Sequence, residues 1–249
     1  YPKKPLFPPS WRMMICIPSS ITEVEKRAVR DSAEQAGAKE VYLIHEPMAA
    51  ALGIGIDVEE PVGNMIIDIG GGTTGITVIA LAGIVCDQSI RIAGDEFTAD
   101  IMEALRRYHS LLIGERTAEQ IKIQVGAAMK EIDNPPDDFP VNGRDLVTGI
   151  PKQIMVSYQE IAEALDKSIF KIEEAILKAL EQTPPELAAD IYRRGLYITG
   201  GGALLRGLDK RLSNKIKLPV HVADDPLKSV VRGTGIALKN YDRYPFVMR

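Results

Sequence analysis

Two glycine-rich segments constrain this chain more than any other feature, because they stand in different structural settings. In the first, β-branched residues lie on both sides of residues 70–73, which predicts strand, turn, strand. In the second, an apolar run leads through residues 200–202 into a helix-forming stretch, which predicts strand, turn, helix. Glycines let backbone N–H groups come close to an anion, and a helix start adds partial positive charge. The pair indicates a phosphate-bearing ligand held between two lobes.

Each segment also has an ordinary explanation that its own residues leave open. Three glycines in a hairpin can serve only to satisfy positive φ angles, and a glycine turn before a helix is common in α/β proteins. Asp68 ends the strand before the first turn, and this acidic residue favours nucleotide binding as the interpretation of the two turns together.

Composition excludes several classes of protein. The 249 residues carry a net charge of −4 without a conspicuous basic run, so nucleic acid is not an expected partner. No apolar run is long enough to span a bilayer, and no signal peptide is visible. The two cysteines, Cys16 and Cys86, lie in apolar strand-like runs, which favours a reduced, cytoplasmic environment; a disulfide between them is the alternative.

The order of predicted elements indicates an α/β fold. Residues 12–18 and 41–44 predict strands, and Thr22 with Glu25 predicts a capped helix between them. This β-α-β order implies parallel strands joined by a crossover helix. The later predicted elements are a helix at 48–52, strands at 64–80 and 83–92, helices at 97–108 and 117–129, weak strands within 141–156, a helix at 158–182, a strand from 196, a helix at 203–212, a strand at 220–222 and a helix at 226–238.

Asp68 is the candidate metal-side residue. It directly precedes the first glycine segment, where a carboxylate can hold Mg²⁺ through water beside phosphates gathered by the turn. An aspartate that caps its own turn is the common alternative.

Three further residues are candidates for chemistry. Glu46 precedes the helix-opening Pro47, where a carboxylate commonly accepts N–H bonds; its other possible role is to orient an attacking water for phosphoryl transfer. Glu119 and Lys122 share one face of a predicted helix. A surface ion pair is the usual explanation of such spacing, and a pair that brackets a ribose and a base edge is the alternative.

At these residues the chain resembles the superfamily of actin, heat-shock chaperones and sugar kinases, through Asp-x-Gly-Gly-Gly-Thr-Thr in a hairpin and Thr-Gly-Gly-Gly before a helix. Residues 44–51, 90–95, 113–119 and 183–188 narrow the resemblance to the MreB family of bacterial actin-like proteins, in the family's order. The resemblance implies an α/β, actin-like ATPase (ribonuclease H-like) fold with two lobes. It predicts a partial first lobe (1–63 and 226–249), a second-lobe core (64–96 and 159–225) and an inserted small subdomain (97–158).

The resemblance implies a protein that binds ATP with Mg²⁺, hydrolyses it slowly and polymerises into filaments at the inner membrane that direct rod-shaped growth. It implies as partners further copies of the chain, the membrane surface and proteins of cell shape and cell-wall synthesis. A small-molecule (sugar) kinase of the same superfamily is the alternative function.

The resemblance also assigns roles to individual residues. Asp68 matches the metal-side aspartate, and Glu46 matches the residue that positions the hydrolytic water. Leu6 and Phe7 fall where family members carry an apolar loop that enters the membrane, with a Pro-rich connector as the alternative. The nucleotide-binding residues are Gly70, Gly71, Gly72 and Thr73 of the second phosphate loop, Glu119 and Lys122 of the adenosine-side helix, and Gly200, Gly201, Gly202, Ala203 and Leu204 of the adenosine turn.

Two departures from the family pattern bear on activity. Family members begin with a strand hairpin that carries Asp-x-Gly-Thr, the first phosphate loop, and nothing of that kind precedes Asp68. The chain is therefore expected to be a fragment with an incomplete first lobe, weak or absent ATP binding and an exposed sheet edge prone to association. Gly75 stands where the family usually has an acidic residue, a change that the sequence does not explain.

Overall fold

The structure is a computed structural model, and it describes residues 11–249. The strands are β1 (Trp11–Ile17), β2 (Ala38–His45), β3 (Asn64–Ile69), β4 (Thr74–Ala80), β5 (Gly83–Ile90), β6 (Leu111–Leu112), β7 (Phe139–Asp145), β8 (Pro151–Val156), β9 (Leu196–Thr199) and β10 (Val220–Val222). The helices are α1 (Glu23–Gln35), α2 (Glu46–Gly53), α3 (Gly94–His109), α4 (Glu115–Val125), α5 (Tyr158–Gln182), α6 (Pro185–Arg194), α7 (Leu208–Ile216) and α8 (Ser229–Lys239). Two 3-10 turns lie at Gly201–Leu204 and Pro226–Lys228.

The first sheet is the parallel pair β1 and β2, joined by α1 as the β-α-β pattern predicts. The predicted capping box is present, because Thr22 Oγ1 accepts from the Glu25 N–H and the Glu25 carboxylate accepts from the Thr22 N–H. On the far edge of β2, Leu43 and Met248 exchange backbone hydrogen bonds. The two ends of the described chain therefore meet at this sheet.

The second sheet has five strands in the order β10-β9-β3-β4-β5. β3, β4 and β5 form an antiparallel meander, while β9 runs parallel to β3 and β10 runs parallel to β9. The central strand β3 is buried on both faces: Ile66 packs with α2 and α8, while Met65, Ile67 and Ile69 face the main core. This double burial explains why β3 reads as a continuous apolar run.

A third sheet, β6-β7-β8, lies within the predicted insert. Its buried residues Val141 and Val156 belong to the same continuous core as Phe97 of α3, Ile121 of α4 and Ile169 of α5. The region 97–158 therefore shares its core with the second sheet, and the domain boundaries drawn from the sequence stay a prediction.

Helices α2 and α8 cross at close range because glycines lie at the crossing. A Cβ on Gly53 would stand 1.8 Å from the Ser229 carbonyl oxygen, and one on Gly233 would stand 1.7 Å from the Ala49 carbonyl oxygen. Neither position admits a side chain without separating the helices. This crossing ties the C-terminal part of the chain to the region that begins at β2.

Three sequence expectations about elements were wrong in detail. Helix α6 was not expected, because Pro184 and Pro185 suggested only the end of α5; proline is equally suited to the first turn of a helix, and Pro185 begins α6. The helix expected at 203–212 begins at Leu208, after the 3-10 turn and Gly207 with φ of 74°. Helix α4 ends at Val125, before Gly126, rather than at residue 129.

Cys16 and Cys86 are free thiols, so the disulfide alternative does not hold. Among residues 11–249, no helix combines the length and the apolar character that a bilayer crossing requires. Leu6 and Phe7 lie outside the described residues.

Candidate functional site

The first glycine turn (residues 70–73) joins β3 to β4. The Gly70 N–H donates to the Thr73 carbonyl at 3.0 Å, which closes the turn. Within residues 11–249, the N–H groups of Gly71, Gly72 and Thr73 donate to no protein acceptor. Three consecutive amides without an acceptor form the type of concave donor set that binds phosphate oxygens.

Helix α3 begins against this turn. The Gly94 N–H donates to the Gly70 carbonyl at 3.1 Å, and the Asp95 N–H donates to the Gly71 carbonyl at 2.7 Å. The Asp95 carboxylate lies 3.6 Å from the Cβ position of Gly71 and 3.7 Å from that of Gly72. Sequence reasoning gave Asp95 no role; the signal was its place in the segment 90–95, which was noted only as part of the family pattern.

The second glycine turn (residues 200–204) contacts the end of β3. Gly200 has φ of 81°, and a Cβ there would stand 2.4 Å from both Asp68 Oδ1 and the Ile69 carbonyl oxygen. A Cβ on Gly202 would stand 2.2 Å from Ile69 Cγ2. The structure therefore brings the two turns together around Asp68 and Ile69.

The carboxylates of Asp68 and Glu46 are destabilised as anions. Burial, followed by the negative charge of Glu46, raises the pKa of Asp68 to about 6. Burial also raises the pKa of Glu46. Neither side chain accepts a hydrogen bond from the described residues, so helix capping does not account for Glu46 and turn capping does not account for Asp68. A divalent cation at this place would offset their charge.

The described residues contain no cluster of three or more His, Cys, Asp or Glu side chains suited to a metal ion. A single carboxylate beside a phosphate site fits Mg²⁺, because this ion keeps several waters and takes few protein carboxylates when phosphates supply the other ligands. Asp68 is the residue that would hold it. Bound there, Mg²⁺ would supply positive charge to the phosphate oxygens.

Gly75 lies directly opposite Asp68 in the pairing of β3 with β4. Nothing lies within 4 Å of its Cβ position. The space thus allows a side chain, and an acidic residue there would face Asp68 across the strands at a Cβ separation of about 5 Å. Glycine removes that like charge from the neighbourhood of Asp68.

Lys122 and Glu119 form more than a surface pair. The Lys122 ammonium group contacts the Glu119 carboxylate at 2.6 Å and donates to the Gly94 carbonyl at 2.8 Å, and its side chain is only 16% exposed. Thr98 Oγ1 donates to the same carboxylate at 3.0 Å. These bonds tie α4 to the first turn of α3, which itself contacts the first glycine turn.

A pocket of about 500 Å³, which is large enough for a nucleoside, lies beside Glu119. Its lining residues are Asp95, Thr98, Ala99, Met102, Glu115, Arg116 and Glu119. Of the second turn, the Ala203 side chain is buried, whereas Leu204 is 56% exposed. Leu227, which no sequence pattern singled out, lies with its Cδ2 3.2 Å from the Cβ position of Gly201.

The fold and site define a class of protein: an α/β protein in which two glycine turns, a buried carboxylate and a nucleoside-sized pocket meet at one end of a mixed sheet. The sequence model of the MreB/Mbl protein family matches residues 3–245. The chain belongs to this family, whose members are bacterial actin-like proteins with a role in cell shape.

The relatives agree with this assignment. The chain is 48% identical to the cell shape-determining protein Mbl of Bacillus subtilis over 94% of this chain and 70% of that protein. It superimposes with a TM-score of 0.89 on MreB5 of Spiroplasma citri bound to ADP, at 39% identity over 93% of this chain and 71% of that one. MreB5 has also been solved bound to AMPPNP.

A MamK double-helical filament structure has a TM-score of 0.75 at 23% identity, covering 95% of this chain and 70% of that one. That likeness concerns the fold alone. Together these matches confirm the family resemblance and the actin-like fold, and they do not favour the sugar-kinase alternative. The roles of the individual site residues stay predictions.

Proposed function

We propose that this chain binds an adenine nucleotide, with the phosphates on the amides of Gly71, Gly72 and Thr73. The observation that carries this proposal is that these three N–H groups have no acceptor within the described residues. Helix α3 begins against the same turn and adds the partial positive charge of its N-terminus. The MreB5 structures with ADP and AMPPNP support nucleotide as the anion.

The Gly70 N–H closes the turn on the Thr73 carbonyl, and the remaining residues would complete the site. Asp68 holds Mg²⁺ through water, while Glu119 and Lys122 face the adenosine from α4. Gly200, Gly201, Gly202, Ala203 and Leu204 would contact the adenosine from the second turn, mostly through backbone. The raised pKa values of Asp68 and Glu46 reflect a pair of carboxylates that a cation would stabilise.

The reaction of the bound nucleotide would be slow phosphoryl transfer to water. Glu46 orients the attacking water, the bond between the γ-phosphorus and the bridging oxygen breaks, and ADP leaves with that oxygen. The water's oxygen forms the new bond to phosphorus, and its proton passes to solvent through Glu46.

We further propose that the protein assembles with copies of itself into filaments at the inner membrane, and that these direct rod cell shape together with proteins of cell-wall synthesis. Its cell-shape relatives support this role. Leu6 and Phe7 are the proposed membrane contact. The lobes implied by the family pattern, with residues 97–158 as a small subdomain of the second lobe, remain part of the proposal.

Calorimetry with Mg²⁺-ATP tests the nucleotide site. Gly71→Ala places a methyl group 3.6 Å from Asp95, which the fold accommodates, beside the amides proposed to hold the phosphates. We expect affinity to fall about tenfold or more, a change of ~1.4 kcal/mol. Gly235→Ala is the matched control, because nothing lies within 4 Å of its Cβ position. Equal affinity for both variants and the parent chain would contradict the phosphate site.

A panel of sugars tests the alternative class. A filament protein transfers no phosphate to any of them, whereas a small-molecule kinase consumes ATP only when its sugar is present. Detection of phosphorylated sugar by mass spectrometry distinguishes the filament protein from the kinase.

A further inference from the structure

The proposed adenosine contacts come from two elements that are far apart in the sequence. Glu119 and Lys122 lie on α4, whereas the second glycine turn lies beyond α6 and β9. A ligand that touches both elements needs them at a fixed separation, because contacts bind well only when they are already in place. Arg206, which follows the second turn after Leu205, bonds to the end of α4 and so joins the two elements.

The Arg206 guanidinium group caps the C-terminal end of α4. Its Nη1 donates to the Ile123 carbonyl at 3.3 Å and to the Gly126 carbonyl at 3.4 Å. Helix α4 ends at Gly126 without the left-handed residue that commonly caps a helix, since Gly126 has φ of −62° and ψ of 131°. The last carbonyls of α4 can therefore accept from outside the helix, and a cation there also offsets the negative end of the helix dipole.

The backbone around Arg206 makes the same connection. The Arg206 carbonyl accepts the Ala128 N–H at 2.8 Å, and Arg206 pairs with Ala127 in an isolated parallel bridge. Leu205 packs so closely on Gly126 that a Cβ on this glycine would stand 3.0 Å from Leu205 Cδ1. The segment that follows the second turn is thus fixed to the segment that follows α4.

Helix α4 is also bonded toward the first glycine turn. Lys122 donates to the Gly94 carbonyl at 2.8 Å, and the Gly94 N–H donates to the Gly70 carbonyl at 3.1 Å. Helix α4 therefore connects the two turns, with Lys122 as its bond toward the first turn and Arg206 as its bond to the second. The proposed phosphate and adenosine contacts are held at one separation by these bonds.

The bonds of Arg206 serve position rather than charge pairing. Among residues 11–249, its guanidinium group pairs with no carboxylate, and the acceptors that it contacts are main-chain carbonyls. The half-buried Arg206 side chain thus lies between two backbone segments. Its removal would loosen the fit of one segment to the other and leave the charges of the proposed site unchanged.

We propose that Arg206 is a positioning residue for the nucleotide, because it sets the separation between the second turn and the adenosine-side face of α4. The inference rests on the proposed nucleotide function. A ligand with two parts gains affinity from both parts at once when their contacts are held at the matching separation. Arg206 should therefore contribute to the binding of ATP and not to that of a phosphate chain, which has no adenosine.

Binding of Mg²⁺-ATP and of Mg²⁺-tripolyphosphate to the full chain, measured by NMR titration of ¹⁵N-labelled protein, tests this role. Arg206→Met removes the guanidinium group and keeps an unbranched side chain. We expect the dissociation constant of ATP to rise about tenfold in this variant, while that of tripolyphosphate changes by less than about twofold. Equal weakening of the two ligands, or an unchanged affinity for ATP, would overturn the positioning role.

Two further variants act as controls. Arg206→Lys keeps a cation at the end of α4 but lacks the planar fork of donors, so the ATP affinity should lie between those of the parent and of Arg206→Met. If Arg206→Met does not fold, the ratio of the two affinities in Arg206→Lys decides the question. Arg193→Met is the matched control, because Arg193 donates to the Ala189 carbonyl at 3.3 Å within its own helix, α6. Both affinities should keep their parent values there.

Hydrogen exchange at Ala128 reports on the connection itself. The Ala128 N–H donates to the Arg206 carbonyl, so it should exchange faster when the side chain no longer holds the two segments together. We expect faster exchange in Arg206→Met and parent-like exchange in Arg193→Met. Parent-like protection of Ala128 in Arg206→Met would contradict the connection.

The outcomes separate this inference from the function on which it rests. If the parent chain binds neither ligand, the nucleotide function fails and the inference fails with it. If the parent binds both ligands equally, the phosphate site stands and the adenosine contacts are wrong. If the parent prefers ATP and Arg206→Met keeps that preference, the nucleotide function stands and Arg206 has no positioning role.

Discussion

The two glycine turns look alike in sequence but carry their glycines for different reasons. In the second turn the glycines are crowded: Gly200 and Gly202 would place a Cβ 2.4 Å and 2.2 Å from atoms of Asp68 or Ile69. In the first turn they are not, since Gly71 and Gly72 would meet only the Asp95 carboxylate, at 3.6 Å and 3.7 Å. The second turn needs glycine to pack, whereas the first has glycines that the fold does not require. This difference supports the proposal that the first turn binds a ligand.

The largest effect expected from this comparison is on stability at the second turn. Gly200→Ala combines a positive φ with a clash against the Ile69 carbonyl oxygen, so we expect the free energy of unfolding to fall by roughly 3 kcal/mol or more. Gly55→Ala is the matched control, because Gly55 also has positive φ, 85°, but open space around its Cβ position. Urea unfolding measures both. A similar loss for the two variants would mean that φ alone, and not crowding, governs the second turn.

Asp68 lies where the turns meet, and its ionisation gives the next largest expected effect on stability. Its pKa rises from 3.8 to about 6 in the folded state, so the folded protein binds a proton more tightly than the unfolded chain. The contribution of this group to stability is therefore fully present below about pH 4 and is lost as the pH rises through about 6, a change on the order of 2–3 kcal/mol.

Asp68→Asn should remove this fall and leave the protein more stable than its parent at pH 7 without Mg²⁺. Thermal unfolding across pH 4–8 measures the difference. Glu46→Gln should act in the same direction, because burial also raises the pKa of Glu46. Loss of stability in Asp68→Asn at pH 7 would show that the carboxylate is favourably paired in the native state.

Features set by residues close together in the chain could be predicted from the sequence, whereas features set by contacts between distant residues could not. The Thr22 and Glu25 capping box, the hairpin around residues 70–73 and the long helix α5 follow from residues close in the chain, and the structure has all three. The crowding at Gly200 depends on Ile69, more than a hundred residues away, and no local pattern encodes it.

The same distinction applies within the candidate site. Glu119 and Lys122 were placed on one helix face correctly, but only the folded chain shows Lys122 bonded to the Gly94 carbonyl. Asp95 and Leu227 were missed because each approaches a glycine turn from another element. Helix α6 was missed because a proline pair was taken as the end of one helix when it also begins the next.

Lys122 tests how the start of α3 is held beside the first turn. Lys122→Met keeps the length of the side chain but removes its bonds to the Gly94 carbonyl, Thr98 and Glu119, so we expect a loss of about 1–2 kcal/mol. Glu119→Gln retains a polar partner and should cost less. Hydrogen exchange at Gly94 and Asp95 is the local readout, and unchanged protection there in Lys122→Met would contradict the proposed tie between α4 and α3.

The smallest effect on stability belongs to the first turn itself. Gly71→Ala should change the free energy of unfolding by no more than ~0.5 kcal/mol, because its Cβ finds ordinary contact distances. Paired with the large loss expected for Gly200→Ala, this result would separate a turn kept open for a ligand from a turn closed by packing. A loss above ~2 kcal/mol in Gly71→Ala, by the same urea titration, would show that both turns need their glycines for packing.

We propose above that the amides of Gly71, Gly72 and Thr73 face an anionic ligand. Titration of ¹⁵N-labelled chain with Mg²⁺-ATP, followed amide by amide in NMR spectra, tests it most directly and tolerates weak binding. We expect these three resonances to shift together with one saturation curve, while that of Gly235 stays in place. Saturable shifts elsewhere, with these three amides unmoved, would contradict it.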